Sequence, residues 1–244
     1  MKYINRLFKY LDIKGAKAML SKANLQFTNS LDFNDPFDCH PSLIDFSYKS
    51  KGRYGTLVMD NARKRCEELY AGLRDRTWIC ALSKIHDSIL MWSHYANKHQ
   101  GVCIELNIAH VMRFLAEPRC GRIIHNVGVE VQYKDIVEKP KYFDNNINHL
   151  EYQISTKGKQ WEHEQEWRLY VIDPVRSYTK SGRLYPKLGG ECFEAIYLGA
   201  KISDADKRKI IRLAKKVNQN IKIYQMGIDT DAFRLEVSEV MQDA

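Results

Sequence analysis

Trp161-Glu162-His163-Glu164-Gln165-Glu166-Trp167-Arg168, running on into Leu169-Tyr170-Val171-Ile172, is the most informative segment of the chain. Three acids stand at alternate positions between two tryptophans, and an arginine closes the run. The β-formers that follow, stopped at Asp173-Pro174, predict a strand at Trp167–Ile172 and support an extended reading of the acidic run before it. Alternation then puts Glu162, Glu164, Glu166 and Arg168 on one face, and Trp161, His163, Gln165 and Trp167 on the other. Three carboxylates on one face repel one another. They are tolerated in open water, beside a cation, or where a positively charged transition state must be stabilised. A solvated edge strand and an acidic catalytic strand both fit that pattern.

Around this run the predicted elements alternate irregularly. Strands are expected at Tyr3–Tyr10, Leu25–Thr28, Trp78–Leu82, Val102–Leu106, Val127–Tyr133, Cys192–Leu198, Ile221–Tyr224 and Phe233–Val237. Helices are expected at Lys14–Lys22, Thr56–Leu73, Ile108–Leu115 and Asn145–Thr156. Another starts at an Asp87 cap and is stopped by Gly101, and one more starts at Ser203. Strict βαβ alternation is missing, so the expected class is α+β. One domain, 1–244, is predicted, with a mixed or antiparallel central sheet flanked by helices. Residues 41–54 are a candidate mobile loop.

A chain of 244 residues with 44% hydrophobic side chains is long enough for a proper core. The formal net charge of +8 favours phosphate-bearing ligands or nucleic acid as partners without establishing either. The longest stretch free of Asp, Glu, Lys and Arg is Ser88 to Asn97, too short for a membrane span. None of the six cysteines forms a Cys-x-x-Cys pair, which argues against a zinc knuckle and for a reducing cytoplasm. Rossmann and P-loop glycine patterns, the Gly-x-Ser-x-Gly elbow and the kinase set are all missing.

Two further segments stand out. In Asn34-Asp35-Pro36-Phe37-Asp38, Pro36 fixes its own φ and Asn34 can close an Asx turn, so a carboxylate is held in one place. In Met91-Trp92-Ser93-His94-Tyr95-Ala96, Ser93 and His94 are neighbours on a helix and do not face each other, which excludes a nucleophile–base pair within the run. His94 remains a candidate general base or phosphate donor. His94 and His99 are five apart, poor spacing for a metal pair.

Taken together and in this order, the three segments resemble the bacterial domain-of-unknown-function family 2971. Leu7-Phe8-Lys9-Tyr10, Leu25-Gln26-Phe27-Thr28 and Tyr197-Leu198-Gly199 match its weaker positions. That family carries no known activity. A more distant resemblance is to the ADP-ribosyltransferase-like fold, through Phe8-Lys9-Tyr10, the helix around Met19, the strand at Phe27 and Glu164-Gln165-Glu166. The chain departs from that fold in offering Lys9 and Tyr10 where histidine or arginine is usual, and in lacking a clear middle Ser or Tyr motif. This second resemblance implies NAD as co-substrate. It assigns Glu166 to stabilising the ribose cation, Glu164 to the acceptor, and Arg168 and Lys9 to the pyrophosphate. His94 and Tyr95 would line the nicotinamide or acceptor side, and Tyr10, Asn34 and Asp35 would complete the cofactor site. The general habits of resembling systems suggest a toxin or phage-defence effector. Two other classes stay open: a metal-dependent hydrolase or nuclease using the acidic run with Asp35, Asp38 or His94, and a non-catalytic binding or sensing protein.

Overall fold

The elements run β1 (Arg6–Leu11), α1 (Ile13–Lys22), β2 (Phe27–Asn29), α2 (Arg53–Arg74), β3 (Thr77–Ser83), α3 (Ile89–Tyr95), β4 (Val102–Asn107), α4 (Ile108–Ala116), β5 (Val127–Glu130), β6 (Gln132–Lys134), α5 (His149–Ser155), β7 (Thr156–Gly158), β8 (Glu166–Ile172), β9 (Arg183–Leu184), β10 (Phe193–Leu198), α6 (Asp204–Val217), β11 (Lys222–Ile228) and β12 (Leu235–Glu239). The computed structural model describes residues 4–47, 53–116, 127–143, 147–172 and 182–239. Among the described residues ten strands form one sheet in the order β12-β11-β10-β4-β1-β3-β2-β9, with β8 also on β3 and β5 on β8. Its pairings are antiparallel except β10 with β11. The α+β class expected from the sequence is therefore the class observed. No helix among the described residues is long and apolar enough to cross a membrane.

Alternation sorts each central strand onto two faces. On the first, Leu7, Trp78, Cys80, Leu82, Leu169 and Val171 join the main core. Ala16, Met19 and Leu20 of α1 pack there at helical spacing, with Ile210 and Ala214 of α6. On the second face there are two apolar clusters. Phe8 and Tyr10 pack with Met91 and Trp92 of α3. Ile79 and Tyr170 pack with Cys39 and with Ile154 of α5. Between them, β3 and β8 pair Ser83 with Glu166 and Ala81 with Arg168. Small residues thus stand opposite long charged ones, which leaves unfilled space on this face.

The sheet also opens at this point. β1 is paired with β4 over its whole length but meets β3 at one position only, Phe8 with Ser83. β2 takes the neighbouring stretch of the same β3 edge, at Trp78 and Ile79. β1 and β3 part beyond the Phe8 pair, and the Lys9 ammonium reaches across to donate to the Ala81 carbonyl at 2.8 Å.

The decisive stretch departs from its predicted form. Lys159–Glu164 is a 3-10 helix, Gln165 has a left-handed φ of 42°, and the strand starts only at Glu166. Glu162 is exposed and does not share the face of Glu164 and Glu166. The turn is held by Gln165 N–H on the Glu162 carbonyl and Ser83 Oγ donating to the Glu164 carbonyl at 2.7 Å. Local β preference is overridden because the turn carries the Glu164 carboxylate back towards buried partners, a long-range gain that strand periodicity does not register. From Glu166 onward the predicted alternation is the one observed.

Smaller differences have local causes. Ser88, one residue after Asp87, caps α3 by accepting from Met91 N–H. The predicted Val127–Tyr133 strand breaks at Val131, because β5 pairs with β8 while β6 pairs in parallel with β7. Phe233 precedes β12 and is fully exposed. Within 41–54, Pro41–Leu43 forms a 3-10 helix, Ile44 and Phe46 are buried against Tyr70, and α2 begins at Arg53. Residues 48–52 of the expected mobile loop lie outside the described residues, as do Tyr3, Cys120, Asn145 and the Asp173-Pro174 stop.

Candidate functional site

Arg168 sits on β8 with no exposed surface. Its Nε donates to Glu166 Oε1 at 2.8 Å and one terminal nitrogen to Glu166 Oε2 at 2.9 Å. The same fork grips both oxygens of Asp38, at 2.6 and 2.7 Å, and donates to the Ile154 carbonyl at 2.7 Å. Two bidentate contacts on one guanidinium match its planar donor geometry. Asp38 is brought there by the Asn34–Asp38 turn: Asp35 Oδ1 accepts from Phe37 N–H at 2.9 Å, and Cys39 follows in the left-handed region at φ 54°.

Lys157, on β7, is the second buried cation. Its ammonium donates to Glu164 Oε2 at 2.5 Å and Glu166 Oε2 at 3.1 Å, with Asp38 Oδ2 at 3.9 Å. The Trp161 ring lies 4.9 Å from it. The other oxygen of Glu164 accepts from the Tyr95 hydroxyl at 2.5 Å. Three carboxylates thus face two cations, a count that leaves one formal negative charge in the cluster.

The electrostatics follow from these contacts. Burial alone would raise the Glu166 carboxyl, but the charges and hydrogen bonds of Arg168 and Lys157 outweigh it and hold the group at about 2. Burial would likewise lower Lys157 and Arg168, and the facing carboxylates raise both instead. The Tyr95 phenol is pushed up by burial first and then by its hydrogen bond to Glu164. Glu166 N–H donates to the Tyr133 hydroxyl at 2.8 Å, fixing the start of the strand.

A cavity of about 150 Å³ opens over this cluster where β1 and β3 part. Phe8, Tyr10, Phe33 and Met91 give it apolar walls, and Lys157, Glu164, Glu166 and Tyr95 form a polar floor. Lys9 and Asn34 also line it, and Asn34 hydrogen-bonds the Tyr95 side chain. The Tyr10 hydroxyl is spent on the Ile85 carbonyl at 3.0 Å, so Tyr10 offers the cavity its ring.

Six of the sequence-derived candidates therefore converge: Lys9, Tyr10, Asn34, Tyr95, Glu164 and Glu166. Three do not. Arg168 has each of its nitrogens engaged by protein acceptors and is shut off from the cavity, so it cannot reach a pyrophosphate. Asp35 is used in its own turn. His94 is exposed on α3, with the Tyr95 and His163 rings 6.4 and 6.2 Å away, and does not line the cavity. Sequence reasoning missed Lys157, Phe33, Ala81 and Ser83. Lys157 stands among other polar residues in Ser155-Thr156-Lys157-Gly158-Lys159 and gives no periodic signal. Among the described residues no group of three His, Cys, Asp or Glu side chains is arranged to hold a metal ion. Asp38, Glu164 and Glu166 give their lone pairs to an ammonium, a guanidinium and a tyrosine hydroxyl.

Fold and site define a class: an α+β protein with a buried five-charge cluster under a cleft where its sheet divides. Residues 91–169 match the family described as Protein of unknown function (DUF2971), which bears out that resemblance over this segment. The match takes in Met91 to Tyr95, Lys157 and the Glu164–Arg168 run, so most of the cluster belongs to the family segment. No curated protein and no solved structure matches the chain.

Proposed function

We propose that the cleft binds the nicotinamide end of NAD and that the protein is an ADP-ribosyltransferase-like enzyme in which Glu164, rather than Glu166, is the working carboxylate. One observation carries this reading: Glu164 is a buried carboxylate at the floor of an aromatic-walled cavity, with one oxygen on Tyr95 and the other on Lys157. The cavity, at about 150 Å³, is below the roughly 300–1,000 Å³ usual for whole ligands. It suits one ring-sized group, and the rest of a dinucleotide would lie outside it.

When the bond between nicotinamide and ribose breaks, its electron pair leaves with nicotinamide and positive charge builds on the sugar. A carboxylate already fixed in a desolvated floor stabilises that charge without reorganising. Glu166 is unsuited to the role, because Arg168 and Lys157 neutralise it from two sides. Lys9, beside the opening, is the cation available for phosphate. The location proposed is a reducing cytoplasm, in which thiols stay unpaired.

A second reading, ligand binding without catalysis, is favoured by the 2.5 Å contact of Lys157 with Glu164, which neutralises much of the charge a transition state would use. Nicotinamide release from NAD, followed together with thermal stabilisation by NAD, separates the two. Release by the wild type that is lost in Glu164→Gln supports the enzyme. Stabilisation without release supports the binding protein, and neither effect removes NAD from consideration.

A further inference from the structure

A second cavity, about 380 Å³, lies between the turn after α3 and the connection from β11 to β12. Three features mark it. The turn is strained: Asn97, Lys98 and His99 are consecutive non-glycine residues with φ of 47°, 54° and 68°. A Cβ crowds the backbone carbonyl in that region, so a run of three persists only where the surroundings impose it. Here they do. Gly199 N–H donates to the Gly101 carbonyl, Lys201 N–H donates to the His99 carbonyl, and a Cβ on Gly199 would lie 2.2 Å from the His99 oxygen. The consequence is that His99 lines the cavity beside Lys201.

The second feature is charge. The Lys201 ammonium has no hydrogen bond or ion pair among the described residues, and it lies close enough to His99 to add to the effect of burial in lowering that imidazole. Arg234 spends Nε on Asp229, whose carboxylate is further satisfied by the N–H groups of Asp231 and Ala232. The ends of the Arg234 guanidinium stay available, and Asp231 adds one exposed carboxylate to the lining. The third feature is apolar surface at the rim: Phe233 is fully exposed, and Ile228 and Ile89 are 65% and 41% exposed. A ring that lines a cavity and touches so little of its own chain is free to stack on a ligand.

We propose that this cavity is a second binding site, for a small organic anion with a planar apolar body, held by Lys201, His99 and Arg234 and covered by Phe233. Its volume falls in the range of whole small-molecule sites. The anionic group is a phosphate or a carboxylate, and the proposal stands independently of the NAD reading.

The test uses the full chain with labelled histidines. The His99 signal is identified by its loss in His99→Gln, and its titration is followed with AMP, benzoate or inorganic phosphate at millimolar concentration. A bound anion favours the imidazolium, so His99 should titrate at higher pH with AMP if the group is a phosphate and with benzoate if it is a carboxylate. Lys201→Met, at an exposed position that the fold tolerates, should weaken that ligand by about tenfold or more, the loss expected for one charge-assisted contact. Phe233→Ala should weaken it while leaving the His99 titration of the free protein unchanged. No movement of His99 with AMP or benzoate would overturn the proposal. So would an effect of inorganic phosphate equal to that of AMP, or binding that survives Lys201→Met intact.

Discussion

Glu164 and Glu166 are two residues apart and both buried, yet they occupy opposite situations. Glu166 stands on a strand facing two cations, with both oxygens committed to Arg168 and Lys157. Glu164 ends a 3-10 helix, shares Lys157, and puts its other oxygen on a tyrosine at the floor of a cavity. One carboxylate belongs to the frame of the site and the other to its surface. An acidic motif thus does not mark which of its members is available for chemistry; the placement of the cations does. Buried ion pairs of this kind are poor sources of net stability, but removing one partner strands the other.

The frame side should respond most strongly to substitution. Arg168→Met leaves Glu166 and Asp38 buried with half their partners gone and should cost about 3–5 kcal/mol in urea unfolding. A loss under about 1 kcal/mol would mean that the two acids can reach water, and the frame assignment would fail.

Next comes acid. The Glu166 carboxyl, held at about 2 against an ordinary 4.5, contributes stability that is fully present above the ordinary value and disappears as pH falls from about 4.5 towards 2. The loss over that window should be on the order of 3 kcal/mol, read from urea midpoints at each pH. Glu166→Gln should be less stable at neutral pH and should flatten this dependence. An unchanged slope in the variant would assign the acid sensitivity to other groups.

On the surface side the effects are smaller. Glu164→Gln keeps Lys157 paired with Glu166, so it should cost about 1.5–3 kcal/mol, the range for a lost charged hydrogen bond, while abolishing the proposed stabilisation by NAD. Tyr95→Phe should cost about 1 kcal/mol and weaken NAD binding without removing it. A melting temperature reduced as far by Glu164→Gln as by Arg168→Met would erase the distinction between frame and surface.

Much of this was legible in the sequence. The alternation Glu166, Arg168 against Trp167, Leu169 is the alternation of β8, and the helical spacing of Ala16, Met19 and Leu20 gives the buried stripe of α1. The three singled-out segments do meet: Asp38 on Arg168, and Tyr95 on Glu164. The rest was hidden because it depends on contacts distant in sequence. Lys157 becomes central only when β7 lies beside β8's first residue. The 3-10 turn at Lys159–Glu164 replaces the extended reading of the acidic run because Glu164 gains a lysine and a tyrosine that no local pattern registers. The cleft itself comes from Ala81 and Ser83, two small residues whose position opposite Arg168 and Glu166 is set by strand register. Periodicity identified faces, but it could not say that a catalytic-looking arginine was sealed inside one.

The most direct test of the division between frame and surface is to melt the wild type, Glu164→Gln and Glu166→Gln side by side, with and without NAD. Glu164→Gln should melt modestly below the wild type and lose the shift with NAD, whereas Glu166→Gln should melt far below both. A Glu166→Gln protein that melts like the wild type and alone fails to respond to NAD would contradict the account and return the working role to Glu166.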